Sequence, residues 1–194
     1  MSEWLFDLGN SRLKYARRDA GGAIGGMDSL DHRNRDFSDL PPEVRGEVAW
    51  VATVASPALR TGLLDELRTR FPRISLARTQ ATHGGLTIAY ADPTRLGVDR
   101  FLALLAARDA GEAVLVIGVG TALTIDLLDA DGQHRGGRIA PSPSLMRQSL
   151  HARAAQLPAA GRDYVEFADD TVDALASGCE GAALALIERS RTQA

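Results

Sequence analysis

The sequence predicts a mixed α/β protein that contains a duplicated unit. Residues 48–54 are short and rich in β-branched side chains, which indicates a buried strand, and a helix signal follows them. A strand, a glycine turn and another strand open the chain, and the same order recurs after residue 113. Asp7-Leu8-Gly9-Asn10 corresponds to Gly118-Val119-Gly120-Thr121 in this comparison. We therefore expect two similar halves, although two unrelated hairpins would give the same pattern because glycine turns are common.

Composition places the chain among ordinary globular proteins. The 194 residues are 45% hydrophobic and 24% charged, which suits one large domain or two small ones. The net charge of −3, without a basic run, gives no electrostatic support for binding nucleic acid or a membrane surface. The only cysteine, Cys179, fits a reducing compartment. No apolar run approaches the ~18 residues of a membrane span, so we expect a cytoplasmic protein.

Local patterns define the elements of the first half. Ser56 and Pro57 are typical of the N-cap and first position of a helix, and apolar residues then recur every four positions. Residues 79–97 predict a long irregular connection, a feature that is often functional in compact proteins. The predicted elements are strands at 3–8 and 12–17, a possible third strand near the glycine pairs 21–22 and 25–26, a loop or short helix at 28–46, a strand at 48–54, a helix from 57 and a strand at 74–77.

The second half begins after a helix that is apolar nearly all round. This helix should run from Val98 or Asp99 to about Ala110 and be buried between layers. Asp170 then resembles the N-cap of a last helix, with Asp173 favoured at its positive end. The predicted elements are a strand at 113–117, a glycine turn and then a strand within 118–128, a turn at 131–132, a strand at 136–140, a helix from 143 to about 157, a loop at 158–169 and a helix from 170 to about 189.

The first glycine turn carries the groups that a phosphate ligand needs. Backbone N–H groups in the turn at Gly9 can cradle phosphate oxygens, and Asp7 could hold a nucleotide's magnesium ion. Lys14, the only lysine in the chain, could neutralise phosphate charge. The alternative is an ordinary hairpin with a solvated carboxylate and ammonium group.

Asp99 is the candidate general base. A carboxylate beside an arginine at a helix start can anchor and deprotonate a hydroxyl group, while Arg100 can bind a carboxylate in a forked geometry. Phosphoryl transfer needs little deprotonation, because positioning and charge stabilisation dominate it. The alternative is an aspartate favoured only by the helix dipole.

The sequence lacks the common nucleotide-binding and hydrolase motifs, and its histidines and cysteine indicate no further site. The chain has no P-loop, no G-x-G-x-x-G before a helix and no G-x-S-x-G elbow. Its four histidines lack the spacing of metal ligands, so each is interpreted as a surface or hydrogen-bonded residue. Cys179 is interpreted as a core residue.

Four motifs stand in series and cover most of the chain. They are Asp7-x-Gly9-Asn10-Ser11-x-x-Lys14, Tyr90-x-x-Pro93-x-x-Leu96-Gly97-x-Asp99-Arg100, Gly120-Thr121-Ala122-x-Thr124-x-Asp126 and Gly136-Gly137-x-Ile139-x-Pro141. In this order they resemble the type III pantothenate kinases, a family that includes the Bvg accessory factor proteins.

The resemblance implies a fold and an activity. The fold is the duplicated actin-like ATPase (ribonuclease H-like) fold, with mixed sheets flanked by helices, divided here at 1–110 and 111–194. The activity is ATP-dependent phosphorylation of pantothenate to 4'-phosphopantothenate, the first step of coenzyme A biosynthesis. The family is homodimeric and uses Mg²⁺ and usually a monovalent cation, K⁺ or NH₄⁺.

The resemblance also implies roles for individual residues. Asp99 is the implied proton acceptor, while the magnesium role of Asp7 comes from the hairpin residues alone. The implied ATP-binding residues are Asp7, Leu8, Gly9, Asn10, Ser11, Arg12, Leu13, Lys14 and Thr121. The implied pantothenate-binding residues are Tyr90, Gly97, Val98, Asp99, Arg100 and Thr171.

The sequence departs from the family at two places. Gly118 stands where much of the family has an acidic residue that binds the monovalent cation, so the cation ligand is unknown here. Family chains run on past the helix that ends near Arg189, and we expect the second half to be truncated at its C-terminus. Two alternatives to the kinase follow: a non-catalytic nucleotide- or metabolite-binding regulator on the same scaffold, and an actin-like sugar kinase.

Overall fold

A computed structural model describes residues 2–32 and 37–194 of the chain. The chain forms two compact units, and each is interrupted in sequence. The first comprises Met1–Gln80 and Asp92–Leu102, and the second comprises Ala81–Ala91 and Ala103–Ala194. These units are defined by contacts and not by similarity between the halves. The division into duplicated halves at residue 110 therefore stays a prediction.

The first unit is built on a five-stranded sheet. Its elements are β1 (Glu3–Leu8), β2 (Arg12–Arg18), β3 (Ile24–Asp31), β4 (Val48–Thr53), α1 (Pro57–Arg68) and β5 (Arg73–Leu76). The strand order is β3-β2-β1-β4-β5. β1 to β3 pair antiparallel, whereas β4 is parallel to both β1 and β5.

The core of this unit lies on one face of the sheet. Phe6 and Leu8 of β1 are buried there, and Asp7 between them points to the other face. Leu63 and Leu67 of α1 are fully buried in the same cluster. The helix begins where the sequence predicts, since the Ser56 hydroxyl accepts the Leu59 N–H at 3.4 Å.

Strand β3 forms one margin of the described sheet and is largely exposed. Ile24 is 63% exposed and Met27 68% exposed. The register between β2 and β3 shifts at Arg17, which interrupts the ladder. β3 also continues to Asp31, so the prediction of a loop or short helix from residue 28 is wrong for its first residues. Residues 33–36 of that prediction lie outside the described residues, and 37–46 form turns.

The second unit contains a three-stranded antiparallel sheet. Two short strands precede it in this unit, β6 (Thr82–His83) and β7 (Leu86–Thr87). Helix α2 (Val98–Ala107), which starts in the first unit, then leads into the sheet. The sheet strands are β8 (Val114–Val119), β9 (Ala122–Leu128) and β10 (His134–Pro141), in the order β10-β9-β8. This arrangement repeats that of β1 to β3 and confirms the strand–turn–strand recurrence.

Two helices complete the second unit. They are α3 (Pro143–Arg153) and α4 (Thr171–Arg191). α4 packs on β9, where Ala183 joins Leu123 and Ile125 in a buried cluster. α3 ends at Arg153 and therefore four residues earlier than the sequence predicts. In the part of the chain that the structure describes, no helix is long and apolar enough to cross a bilayer.

Candidate active site

Asp7 and Lys14 lie opposite each other on the first hairpin. They are register partners in the antiparallel pairing of β1 with β2. Leu8 and Leu13 are fully buried in the core, so the alternation of strand residues places Asp7 and Lys14 on the other face. The hairpin therefore presents a carboxylate and an ammonium group side by side.

The loop at residues 9–11 is closed by its own backbone. Gly9 N–H donates to the carbonyl of Arg12 at 3.1 Å, while Asn10 and Ser11 are exposed. The side chains of Leu8 and Leu13 lie in the core, and these two residues can therefore meet a ligand only through their backbone. Asn10 and Ser11 lie at the surface, where the loop backbone can face a phosphate group.

His32 ties this loop to the end of β3. Its Nε2 lies 2.9 Å from the carbonyl oxygen of Gly9, and the side chain is buried. Because a carbonyl oxygen only accepts, Nε2 carries the proton and donates it. The ring also contacts Phe37, so the loop is anchored to the apolar core.

Two carboxylates share the region around the hairpin. Burial raises the pKa of Asp7; the Lys14 ammonium group opposes that shift, and the negative charge of Asp99 adds to it. Asp99 is thus close enough to repel Asp7 electrostatically. The first unit thereby brings together Asp7, Lys14 and Asp99, three of the residues that the sequence singles out.

Asp99 occupies the first turn of α2 and folds back over Gly97. Its Oδ1 accepts the N–H of Arg100 at 2.8 Å. A Cβ atom added to Gly97 would lie 2.5 Å from that same Oδ1, far inside ordinary contact. The observed carboxylate position therefore requires glycine at residue 97.

The entry to α2 is held from both sides. Thr79 Oγ1 donates to the carbonyl of Leu96 at 2.8 Å, and Phe101 N–H donates to the carbonyl of Gly97 at 3.0 Å. Val98 and Arg100 are buried, each with 7% of its surface exposed. Asp99, between them, is exposed, so of these three side chains the carboxylate alone is open to solvent.

The second glycine turn presents Thr121 in the second unit. Gly120 N–H donates to the carbonyl of Ala122 at 2.9 Å, and Thr121 is exposed at the bend. Gly118 is not part of the turn, since β8 continues through Val119, and it pairs with Thr124 of β9. The predicted nucleotide contact at Thr121 thus lies at an exposed tip between two strands.

Tyr90 lies over a buried histidine in the second unit. Its ring is nearly parallel to that of His134, with an interplanar angle of 11° and centroids 6.0 Å apart. His134 Nε2 is 2.9 Å from Oδ1 of Asp126, and both side chains are almost fully buried. An aromatic side chain of the predicted pantothenate set therefore has a rigid support.

Thr171 begins α4, and a polar cluster fixes the chain around it. Asp170 accepts the N–H groups of Val172 and Asp173 at 2.7 and 2.9 Å, as the sequence predicts for an N-cap. Arg162 of the preceding loop donates to Asp170 and to both oxygens of Asp173. These bonds hold the pKa of Asp173 below its usual value, with Arg162 as the main cause.

The donor set fits magnesium bound with a nucleotide, whereas the ligand of the expected monovalent cation stays unidentified. No cage of three or more His, Cys, Asp or Glu side chains occurs among residues 2–32 and 37–194. Besides phosphate oxygens and waters, nucleotide-bound Mg²⁺ needs only one or two carboxylates. Asp7 can supply one of them. Gly118 has no carboxylate for K⁺ or NH₄⁺, and a Cβ atom there would lie 2.7 Å from Thr124 Oγ1.

Comparison with known proteins identifies the family. A sequence model described as type III pantothenate kinase matches residues 4–193. The chain belongs to the type III pantothenate kinase family. It is 59% identical to the type III pantothenate kinase of Stenotrophomonas maltophilia (strain K279a), a match that covers 100% of this chain and 80% of the relative. The corresponding enzyme of Xanthomonas campestris pv. campestris (strain B100) is 60% identical, with 98% and 78% covered.

Solved structures support the fold that the family implies. A Baf-family protein of Campylobacter jejuni aligns with a TM-score of 0.58 at 20% identity, over 96% of this chain and 78% of that chain. A Sinorhizobium meliloti protein described as a 2-dehydro-3-deoxygalactonokinase aligns with the same TM-score at 13% identity, over 97% and 80%. At these identities the likeness concerns the fold alone, and it confirms the predicted actin-like α/β class.

His32 and His134 are hydrogen-bonded, as the sequence analysis allowed, but their contacts with the type III pantothenate kinase motifs were not predicted. His32 bonds to the loop 23 residues earlier, and His134 lies beneath Tyr90. Neither has periodic spacing or a motif of its own. The one usable signal is that His134 closely precedes Gly136-Gly137, which belongs to a family motif.

Proposed function

We propose that the chain transfers the γ-phosphoryl group of ATP to the primary hydroxyl of pantothenate, giving 4'-phosphopantothenate in the first step of coenzyme A biosynthesis. The observation that carries the proposal is the match of the type III pantothenate kinase family to residues 4–193. The exposed carboxylate of Asp99 near Asp7 and Lys14 supports it, since the reaction needs a proton acceptor near a phosphate-binding loop.

The hairpin is proposed to hold the nucleotide. Backbone N–H groups of the exposed loop would bind phosphate oxygens, and Lys14 would neutralise part of their charge. Thr121 of the second glycine turn is proposed as a further ATP contact. Asp7 would hold Mg²⁺, which would neutralise part of the phosphate charge when bound.

Asp99 is proposed to orient the pantothenate hydroxyl and accept its proton as the phosphoryl group leaves ATP. Its carboxylate is held by the Arg100 N–H and has no competing Cβ atom at Gly97. Arg100 is 7% exposed, and its side chain is proposed to turn toward the pantothenate carboxylate and bind it, because a guanidinium group matches two carboxylate oxygens at once. Tyr90, Gly97, Val98 and Thr171 complete the proposed substrate contacts. We also propose a cytoplasmic homodimer as the working form.

A coupled assay of ADP release with pantothenate and MgATP tests the proposal. We expect turnover in the unaltered chain and a loss of at least 100-fold in kcat for Asp99→Asn, since positioned acid–base groups contribute about 10²–10⁴-fold. Far-UV circular dichroism should show an unchanged fold. Calorimetric binding of both ligands without ADP release would instead favour a non-catalytic regulator, and preference for an N-acetylhexosamine would favour a sugar kinase.

A further inference from the structure

The strongest unassigned feature is the pair of buried polar side chains beneath Tyr90. His134 is 3% exposed and Asp126 is 1% exposed. A buried carboxylate is costly unless it is paired, and the 2.9 Å contact between Nε2 and Oδ1 supplies the pairing. The pair therefore occupies an interior position that an apolar residue could have filled.

The hydrogen bonds of His134 define its tautomer. The backbone N–H of Ala89 donates to Nδ1 at 3.4 Å, so Nδ1 accepts and carries no proton. Nε2 must then carry the proton and donate it to Asp126. Each ring nitrogen is thus committed to one partner, and the plane of the imidazole is fixed.

The fixed ring supports the segment that carries Tyr90. The tyrosine ring lies nearly parallel to the imidazole at 6.0 Å, within the range of offset aromatic stacking. The same segment is fixed earlier by the Thr87 N–H, which donates to the carbonyl of Gly132 at 2.9 Å. The register of β9 and β10 also shifts immediately after His134, and such bulges commonly redirect side chains beside functional sites.

We propose that His134, oriented by Asp126, is a positioning residue that sets the ring of Tyr90 for binding of pantothenate. The assignment rests on the proposed function, in which Tyr90 contacts that substrate. A purely structural histidine would affect stability and all kinetic constants alike. A positioning residue would instead act on the KM for pantothenate and would act through Tyr90.

A double-mutant cycle between His134→Gln and Tyr90→Ala tests the proposal. Glutamine can still donate an N–H to Asp126, so the buried carboxylate keeps a partner while the flat ring is lost. We expect His134→Gln to raise the KM for pantothenate about three- to tenfold, the range that one aromatic pair is worth. The KM for ATP should stay within twofold. In the Tyr90→Ala background, His134→Gln should have no further effect.

His83→Gln is the matched control, since His83 is an exposed histidine on β6 in the same segment. It should leave both KM values unchanged. Additive effects in the cycle, or equal increases in both KM values, would overturn the positioning role while leaving the proposed function intact. Failure of the unaltered chain to bind or phosphorylate pantothenate would overturn the proposed function and this role together.

Nuclear magnetic resonance of the unaltered chain tests the contact between Tyr90 and His134 directly. This experiment does not depend on whether a variant folds. The chain has three tyrosines and four histidines, so their ring signals can be assigned. We expect cross-relaxation between the Tyr90 and His134 rings, and saturating pantothenate should shift both sets of signals. Signals of His134 that do not move on saturation would overturn the proposal.

Discussion

Replacement of Gly97 by alanine should impair catalysis without weakening the fold. The new Cβ atom would lie 2.5 Å from Oδ1 of Asp99, whereas ordinary contact begins at 3.4 Å. The carboxylate must therefore retreat by about 1 Å, a displacement that can cost about 10²-fold in rate when it affects a reacting group. We expect kcat to fall by roughly that factor, with a smaller change in the KM for ATP.

The stability of Gly97→Ala distinguishes this effect from unfolding. Because alanine restricts the unfolded chain more than glycine does, it adds about 0.4–1 kcal/mol to the free energy of unfolding. This gain offsets part of the destabilisation that the new contact causes. The melting temperature should therefore stay close to that of the unaltered chain. Gly26→Ala is the matched control, because a Cβ atom at Gly26 of β3 would meet no atom within 4 Å.

The assay is steady-state ADP release measured for Gly97→Ala, Asp99→Asn and the double variant. If the alanine acts through the carboxylate, it should cause no further loss once Asp99 is replaced. A Gly97→Ala protein that keeps kcat within threefold of the unaltered chain would refute the reasoning. So would a loss that persists in full in the Asp99→Asn background.

Three further predictions concern the phosphate-binding region and the cation. Asp7→Asn should abolish ADP release yet stabilise the fold at pH 7. Because the pKa of Asp7 is raised in the folded state, the stabilisation that its protonated form provides is complete below pH 3.8, the ordinary pKa of the group, and is lost as the pH rises through the folded pKa. Urea unfolding should show this gain shrink as the pH falls. His32→Ala should cost about 1–3 kcal/mol in urea unfolding, since it removes the donor to the Gly9 carbonyl, and it should raise the KM for ATP more than that for pantothenate. Activity should be the same in K⁺ and Na⁺ because Gly118 offers no carboxylate; strict dependence on K⁺ or NH₄⁺ would contradict this.

The predictable part of the fold is local. Alternating side chains define β1 and β2, and the Ser56–Pro57 signal defines the start of α1 to the residue. These patterns depend on neighbours within a few positions, so they can be read from a single sequence. The end of α3 was less predictable, because no glycine or proline follows Arg153 directly.

The candidate site was predictable where a residue belongs to a motif. Asp7, Lys14 and Asp99 were identified in this way, and the structure places them in one unit. The supporting contacts were not predictable, because they join residues far apart in the chain. The bond from His32 to Gly9 and the stacking of Tyr90 on His134 depend on how the strands pair, which no local pattern specifies.

The exposed edge strand β3 affects the tendency of the protein to aggregate in concentrated solution. An uncovered strand offers free backbone groups on which another chain could extend the sheet, which is a common start of aggregation. Here the register shift at Arg17 interrupts the ladder, and Gly25-Gly26 lowers the strand's tendency to pair. Asp28 and Asp31 add like charges that repel a second copy of the same strand. Mutations that remove this interruption or neutralise the acids of the strand should therefore lower the solubility of the protein before they affect its chemistry.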